Sequence, residues 1–431
     1  MLSRIVLAFA VVALIVPMAR APTAQGATPA QIEEAITDGL AWLAAQQKAD
    51  GHFESTDHTI GRPIAATCLA LLKFEQRALD LGFSSPFDPG YQYHQQVGDG
   101  LNYAFGQMTV AGNFVHVQGQ VYETGICMMA VAASAEPNRA SPVAGKTFKQ
   151  VLQGMMAWME DAQNDGIHPN ECDLGGWTYI PNLAGQSDNS NSGYATLGIG
   201  FAGRMGLSPA AATLTKLSTF IDNIRDPASG GSAYASCPPN NAVMLNILKT
   251  GNLLYEMKLV GRLLSDPTVQ AAKGYIETNW NASYDVGWQF GPGQGYYQAM
   301  FTMMKGLESY GIDTLGLGIG SWFDKVSTYI VGEQQGPGYW TGTGAGSHDW
   351  VLETSWALLT LEKVIPAPPI PTSTPRPGVG GAVNLPPAAV AAESGAPAEG
   401  SGWGTATYAA LAGSAIAVAA AAWYARRRWM R

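Results

Sequence analysis

Gln334-Gln335-Gly336-Pro337-Gly338-Tyr339-Trp340 and Gln47-Lys48-Ala49-Asp50-Gly51-His52-Phe53 share one pattern: a Gln, three residues, a Gly, one residue, then a large aromatic ring. Glu171 to Trp177 keeps the Gly and the Trp, with Glu in the place of Gln. Looser copies end at Phe114, Tyr234 and Trp288, so successive aromatic marks lie 61, 63, 57, 54 and 52 residues apart. A period of that length holds two helices, and its recurrence predicts a repeat architecture.

Before the marks run helical stretches with a ring or Met near their ends, such as Gly39 to Leu43, Met155 to Met159, Gly274 to Ile276 and Ser327 to Ile330. After each mark comes a polar turn and then a stretch rich in Ala, Gly, Met and Leu: Ala65 to Lys73, Thr124 to Ala132, Tyr194 to Ala202, Leu253 to Val260, Tyr297 to Leu307 and Ser355 to Leu361. A helix apolar all round is buried. The first helices carry Lys146, Lys149, Glu160 and Asp161 and suit an outer ring. The expected fold is all-α, an (α/α)6 toroid of about six helix-pair repeats over residues 28–364, nearly all helix. An open solenoid would want polar caps at both ends.

The Q-x-x-x-G-x-(F/W) signature resembles the repeat of squalene and oxidosqualene cyclases. Glu353-Thr354-Ser355-Trp356-Ala357-Leu358-Leu359 and Ser192 to Leu197 resemble inner-helix starts in that terpenoid cyclase and protein prenyltransferase superfamily. Ser187 to Ser192 resembles bacterial surface proteins with these repeats. The resemblance implies the α/α toroid. It does not carry the superfamily's chemistry, because the D-x-D-D acid, the D-D-x-x-D diphosphate motif and the Asp-x-Cys zinc set are absent from the chain. No cofactor or metal is implied, and one fold hosts many chemistries.

The ends suggest a surface location. Residues 1–27 read as a signal peptide, with Arg4, an apolar run from Ile5 to Val16 and small residues around Ala24 to Ala27. Residues 365–404 are rich in Pro, Ala and Gly and suit an extended stalk. Residues 405–425 are long and apolar enough for one membrane span, and 426–431 form an Arg-rich cytoplasmic tip. Of 24 Lys and Arg and 33 Asp and Glu, 17 and 31 fall within 28–364, a net charge of −14. An acidic ectodomain is a poor partner for nucleic acid.

Cys68 and Cys127 stand at matching points of two apolar stretches and read as small buried residues. Cys172 and Cys237 lie in polar loops of adjacent repeats, where an extracellular disulfide is permitted. In such a toroid the cavity is lined by inner-helix starts and the loops before them. The candidate catalytic residues there are Glu123, Asp188, His348 and Glu353. The candidate ligand-binding residues are Asn189, Asn191, Trp177, Trp288, Trp340 and Tyr297. Glu123-Thr124 and Glu353-Thr354 repeat one local pattern, as paired carboxylates for acid/base work would. The competing reading is that Glu123, Glu353 and Asp188 satisfy free N–H groups at helix starts.

Three functions follow. One is a membrane-anchored toroid that binds a carbohydrate, lipid or peptide in its central cavity. The second is an envelope enzyme, either a carbohydrate hydrolase or lyase or a divergent terpenoid or prenyl-transfer enzyme. The third is a structural surface domain with a filled centre.

Overall fold

The computed structural model describes residues 26–54, 63–143, 145–165, 171–181, 187–235, 244–281, 288, 296–342 and 349–363. The chain divides into two units, Met1–Thr372 and Ser373–Arg431. All described residues belong to the first. The signal peptide up to residue 25, the stalk and the span at 405–425 lie outside them. Among the described residues no helix is long and apolar enough to cross a membrane.

The described residues form twelve α-helices. The odd-numbered ones are α1 (Pro29–Ala45), α3 (His94–Gly106), α5 (Phe148–Asp161), α7 (Ala211–Ile224), α9 (Pro267–Asn279) and α11 (Trp322–Gly332). The even-numbered ones are α2 (Pro63–Asp80), α4 (Val121–Ala133), α6 (Asn189–Ala202), α8 (Ile247–Leu259), α10 (Tyr297–Ser309) and α12 (Trp350–Leu361). Each even helix packs on the next even helix, and α12 packs on α2, so the inner ring closes. Odd helices pack outside it: α3 on α2, α5 on α4, α9 on α8, and α1 on α12. The prediction of an all-α closed toroid therefore holds for these residues. Two short hairpins were not anticipated, β1 (Met108–Ala111) with β2 (Phe114–Val117), and β3 (Thr314–Leu315) with β4 (Gly320–Ser321).

The composition of the inner helices explains the ring. In α4 nearly every residue from Val121 to Ala133 is buried, whereas α1 and α9 bury a single stripe. Glycine permits close packing between inner helices. A Cβ on Gly125 would meet the Tyr194 carbonyl at 2.5 Å, and one on Gly198 the Gly125 carbonyl at 2.6 Å. Cys68 of α2 and Cys127 of α4 are joined by a disulfide with Cα atoms 5.1 Å apart. This corrects their reading as separate small residues: equal positions on neighbouring inner helices bring the two sulfurs together. Cys172 is also disulfide-bonded. Its expected partner, Cys237, lies outside the described residues.

The Q-x-x-x-G signature is a fastener between repeats. Gln47 Nε2 donates to the Gly51 carbonyl of its own loop and to the Gln96 carbonyl of α3, both at 2.9 Å. Gln334 does the same with Gly338 at 3.0 Å and with Ala35 of α1 at 2.9 Å, which seals the last repeat to the first. The Gln of the third copy is Gln163, not the position of Glu171: its Nε2 reaches Gly175 at 2.9 Å and Thr213 of α7 at 3.0 Å. An insertion before Gly175 hides it. Gly338 has a φ of +105°, and a Cβ there would run into the Asp38 backbone carbonyl of α1, so the position requires Gly.

Candidate functional site

Four of the six aromatic marks, Phe53, Trp177, Trp288 and Trp340, are fully buried. Trp177 Nε1 donates to the Met159 carbonyl of α5 at 2.8 Å, and Trp340 Nε1 to the Ile330 carbonyl of α11 at 2.7 Å. Trp288 is fully buried edge-on to Trp280, with ring centroids 5.1 Å apart. The sequence expectation made these three rings ligand-binding; all three are fully buried, and the indole N–H groups of Trp177 and Trp340 are taken up by helix carbonyls.

A hydroxyl on five of the six inner helices holds the loop before it. Phe53 N donates to Thr67 Oγ1 at 2.9 Å, Val117 N to Thr124 Oγ1 at 2.9 Å, and Trp177 N to Ser192 Oγ at 3.0 Å. Ser232 N donates to Thr250 Oγ1 and Trp340 N to Thr354 Oγ1, both at 3.1 Å. The fourth repeat thus carries its mark at Ser232, two residues after Gly230, and Tyr234 is released to another role. In α10 the same register falls on Met300, because Gly251 approaches Thr302 as Gly125 approaches Tyr194.

This register defines a ring of equivalent positions, each one residue before the lock: Ala66, Glu123, Asn191, Lys249, Ala299 and Glu353. Four of the six are polar, and they differ from repeat to repeat. Around them the barrel axis is crossed by side chains of four helices. Trp356 Nε1 of α12 donates to the Tyr194 hydroxyl of α6 at 3.1 Å. Gln298 Nε2 of α10 lies 3.2 Å from the same hydroxyl and 3.5 Å from that of Tyr122 on α4. The Tyr122 and Tyr194 rings meet edge to face at 4.5 Å. Tyr122 and Gln298 remain partly exposed while Tyr194 and Trp356 are buried. The four form the floor of a cup at the inner-helix starts and close the axis beneath it.

Glu123 and Glu353 stand in the first turns of α4 and α12, exposed by 9% and 5%. The Glu353 carboxylate packs directly on Gly342 and lies close enough to Tyr194 and Tyr297 to raise the pKa of both phenols, behind the larger effect of burial. Glu123 acts likewise on Tyr122 and Tyr179. Each predicted carboxylate thus acts through its charge on one phenol of the floor, Glu353 on Tyr194 and Glu123 on Tyr122. The N-cap of α12 is Asp349, whose Oδ1 accepts from Val351 N at 3.0 Å and Leu352 N at 3.1 Å.

Asp188 is different. Its Oδ1 accepts from Ser190 N at 2.8 Å and Asn191 N at 2.9 Å, and its Oδ2 from Asn191 Nδ2 at 2.8 Å. That is helix capping, and it also occupies Asn191. Burial raises the Asp188 pKa, opposed by the Asn191 hydrogen bonds and the Lys249 charge. Asn189 is buried, with Nδ2 on Ser232 Oγ at 2.7 Å and its carbonyl on Asn252 Nδ2 at 2.8 Å. Asn189 thus joins α6 to the next loop and to α8. Tyr297 is buried beside Glu353. His348 lies outside the described residues.

Sequence reading did not identify Lys249, Tyr179, Tyr234 or Ser190 as a group. Lys249 Nζ donates to Ser190 Oγ and sits 5.1 Å from the centroid of the Tyr234 ring. The Tyr234 and Tyr179 hydroxyls are 3.3 Å apart, and Tyr179 is 48% exposed at the mouth. Among the described residues no His, Cys, Asp and Glu cluster could hold a metal ion.

No family model matches the sequence, and no curated protein is detectably similar to it. Solved structures do share its fold. The α-1,6-mannanase GH76A of Salegentibacter sp. HEL1_6 matches with a TM-score of 0.53 and 11% identity, over 77% of this chain and 98% of that one. An inactive variant of that enzyme, with two aspartates changed to asparagine, was solved in complex with α-1,6-mannotriose and matches equally well. The cellobiose 2-epimerase of Bacillus thermoamylovorans B4167 matches with a TM-score of 0.53 and 11% identity, over 78% of this chain and 100% of that one. At such identity the likeness is one of fold, and by fold this chain is an α/α toroid.

Proposed function

We propose that this protein is an extracytoplasmic carbohydrate-active toroid, with a saccharide bound over the Tyr122, Tyr194, Gln298 and Trp356 floor and a glycosidic bond cleaved between Glu123 and Glu353. The floor carries the proposal. Sugar rings present alternating apolar faces and hydroxyl edges, and the partly exposed Tyr122 phenol and Gln298 amide, backed by the buried Tyr194 and Trp356, offer both kinds of contact. One carboxyl protonates the glycosidic oxygen while the other activates water or attacks the anomeric carbon. The mannanase and the epimerase, which share this fold, both act on saccharides, which favours this substrate class over lipid or peptide. The buried Cys68–Cys127 disulfide supports maturation outside the cytoplasm, in keeping with a leader at 1–27 and an anchor at 405–425.

Incubating the full chain with a panel of α- and β-linked oligosaccharides, with products resolved by chromatography, tests the proposal. Cleavage of at least one linkage is expected, and Glu123→Gln and Glu353→Gln should each lower its rate 100-fold or more with saccharide affinity largely retained. Binding without cleavage would reduce the protein to a carbohydrate-binding toroid. No binding, or unchanged rates in both variants, would overturn the reading.

A further inference from the structure

We infer that Ser190 and Lys249 form a Ser–Lys acyl-transfer centre at the rim of the cup, acting on a carboxylic ester. Ser190 lies in the first turn of α6 and Lys249 in the first turn of α8, the neighbouring inner helix. Lys249 Nζ donates to Ser190 Oγ. The serine is partly exposed to the mouth while the lysine is buried.

What surrounds the lysine is unusual for a cation. Among the described residues its ammonium makes no ion pair, although Asp188 is nearby. Asp188 spends both oxygens on the start of α6. The groups that face Lys249 are Ser190 and Asp188 from α6, Tyr234 from the preceding loop, Glu256 along its own helix and Lys305 from α10. Burial lowers its pKa to about 8, with Asp188 and Glu256 pulling the other way. A sizeable fraction is thus neutral just above neutral pH, the state in which an amine serves as base to a hydroxyl. The Tyr234 ring lies 5.1 Å from Lys249 Nζ and its hydroxyl 3.3 Å from that of Tyr179, and the proposed centre uses these two hydroxyls as its hydrogen-bond donors to an oxyanion.

The step balances without a further reagent except water. Neutral Lys249 takes the Ser190 hydroxyl proton as Oγ bonds to the ester carbonyl carbon. The tetrahedral adduct collapses with cleavage of the bond to the alcohol oxygen, and Lys249 passes the same proton to that leaving group. Water, deprotonated in turn by Lys249, then releases the acyl group as a carboxylic acid and restores Ser190. An ester suits this pair because one proton, moved out and back, completes each half of the reaction. Only the alcohol's identity, a saccharide hydroxyl, rests on the function proposed above.

The test treats the full chain with a fluorophosphonate probe and follows 4-nitrophenyl acetate hydrolysis from pH 6 to 10. Ser190 should be the residue phosphonylated, as read by peptide mass spectrometry. Hydrolysis should rise with pH about a midpoint near 8, the value of Lys249. Lys249→Met should slow labelling at least 100-fold and remove that inflection, at a melting temperature that shows the variant folded. Ser190→Ala should lose both the labelling and the pH-dependent hydrolysis; if it does not fold, Ser190→Cys replaces it, and its thiol should be alkylated by iodoacetamide faster than in Ser190→Cys combined with Lys249→Met. An unlabelled Ser190 in the unaltered protein, or equal labelling rates with and without Lys249, overturns the inference. Neither result bears on Glu123 or Glu353, so the two proposals fail separately.

Discussion

Two sets of residues in this toroid repeat with the same period and do opposite things. The first recurs nearly unchanged: Gln47, Gln163 and Gln334 between repeats, and Thr67, Thr124, Ser192, Thr250 and Thr354 on the inner helices. The second set, Ala66, Glu123, Asn191, Lys249, Ala299 and Glu353, lies one residue before those hydroxyls and changes at every step. A backbone N–H or carbonyl needs the same partner in every repeat, so sameness marks structure. On the function proposed above a ligand breaks the ring's symmetry, and the positions that differ are the ones that would meet it. Glu353 and Thr354 are neighbours in sequence and belong to different sets.

The most severe way to probe the recurring set is Trp340→Ala. The indole is fully buried and its Nε1 is held by the Ile330 carbonyl, so a large cavity would result and that carbonyl would keep only its 3.3 Å contact with Glu333 N. Such a truncation costs about 3–5 kcal/mol. Chemical denaturation should show that loss, while any saccharide bound by the folded fraction keeps its affinity. A stable variant with lost affinity would place Trp340 in the cup and erase the distinction.

Next comes the seam. Gln334→Ala leaves the Ala35 and Gly338 carbonyls without their shared donor, at a cost of about 1–3 kcal/mol. Because this Gln joins the last repeat to the first, hydrogen exchange should rise in α1 and α11 before it rises in α6. Uniform exchange across the ring would mean that closure depends on inner-helix packing alone.

Much of this scheme is legible in the chain. The Q-x-x-x-G-x-(F/W) copies at Gln47 and Gln334 are intact, and from them the period, the closed ring and the buried inner helices follow. Gln163 is not legible because an insertion separates it from Gly175. Ser232 is not, because the fourth mark has lost its ring and Tyr234 stands nearby. The Cys68–Cys127 bond had a readable signal, one period of separation on adjacent inner helices, yet apolar neighbours argue equally for two buried thiols. At the site, Glu123 and Glu353 stand out through their shared Glu-Thr pattern. Ser190 and Lys249 do not: they are 59 residues apart, and only the register of α6 against α8 brings them together.

A sharper comparison sets Thr354→Val against Glu353→Gln. The valine keeps the shape of Thr354 and leaves Trp340 N with no acceptor in a buried site, so stability should fall by about 1–3 kcal/mol with saccharide turnover intact. The glutamine should do the reverse, lowering turnover with a smaller stability change than Thr354→Val if α12 is capped by Asp349 alone. Equal losses of stability in both would return Glu353 to the helix-start role.

The smallest expected effect concerns charges beneath the floor, where the varied set continues down the axis. Glu256 of α8 is fully buried, and among the described residues neither of its carboxylate oxygens has a hydrogen-bond partner. Burial raises its pKa from 4.5 to about 8, opposed by the charges of Lys305 and Lys249. Lys305 is itself held well below the ordinary lysine range by burial and donates to Asn252 Oδ1 at 3.0 Å. Between pH 4.5 and about 8 the folded protein therefore keeps a proton on Glu256 that the unfolded chain has lost. Stability from this group is full below 4.5 and drains away as pH rises through that window. Glu256→Gln has the same shape and no proton to lose. Its melting temperature should lie nearest that of the unaltered protein at about pH 5 and exceed it near pH 8. The sign is the critical observation. A variant that is less stable at pH 8 than at pH 5, relative to the unaltered protein, would mean that Glu256 is ionised and paired with Lys305, and that the lower barrel is held by a salt bridge, not by a neutral acid.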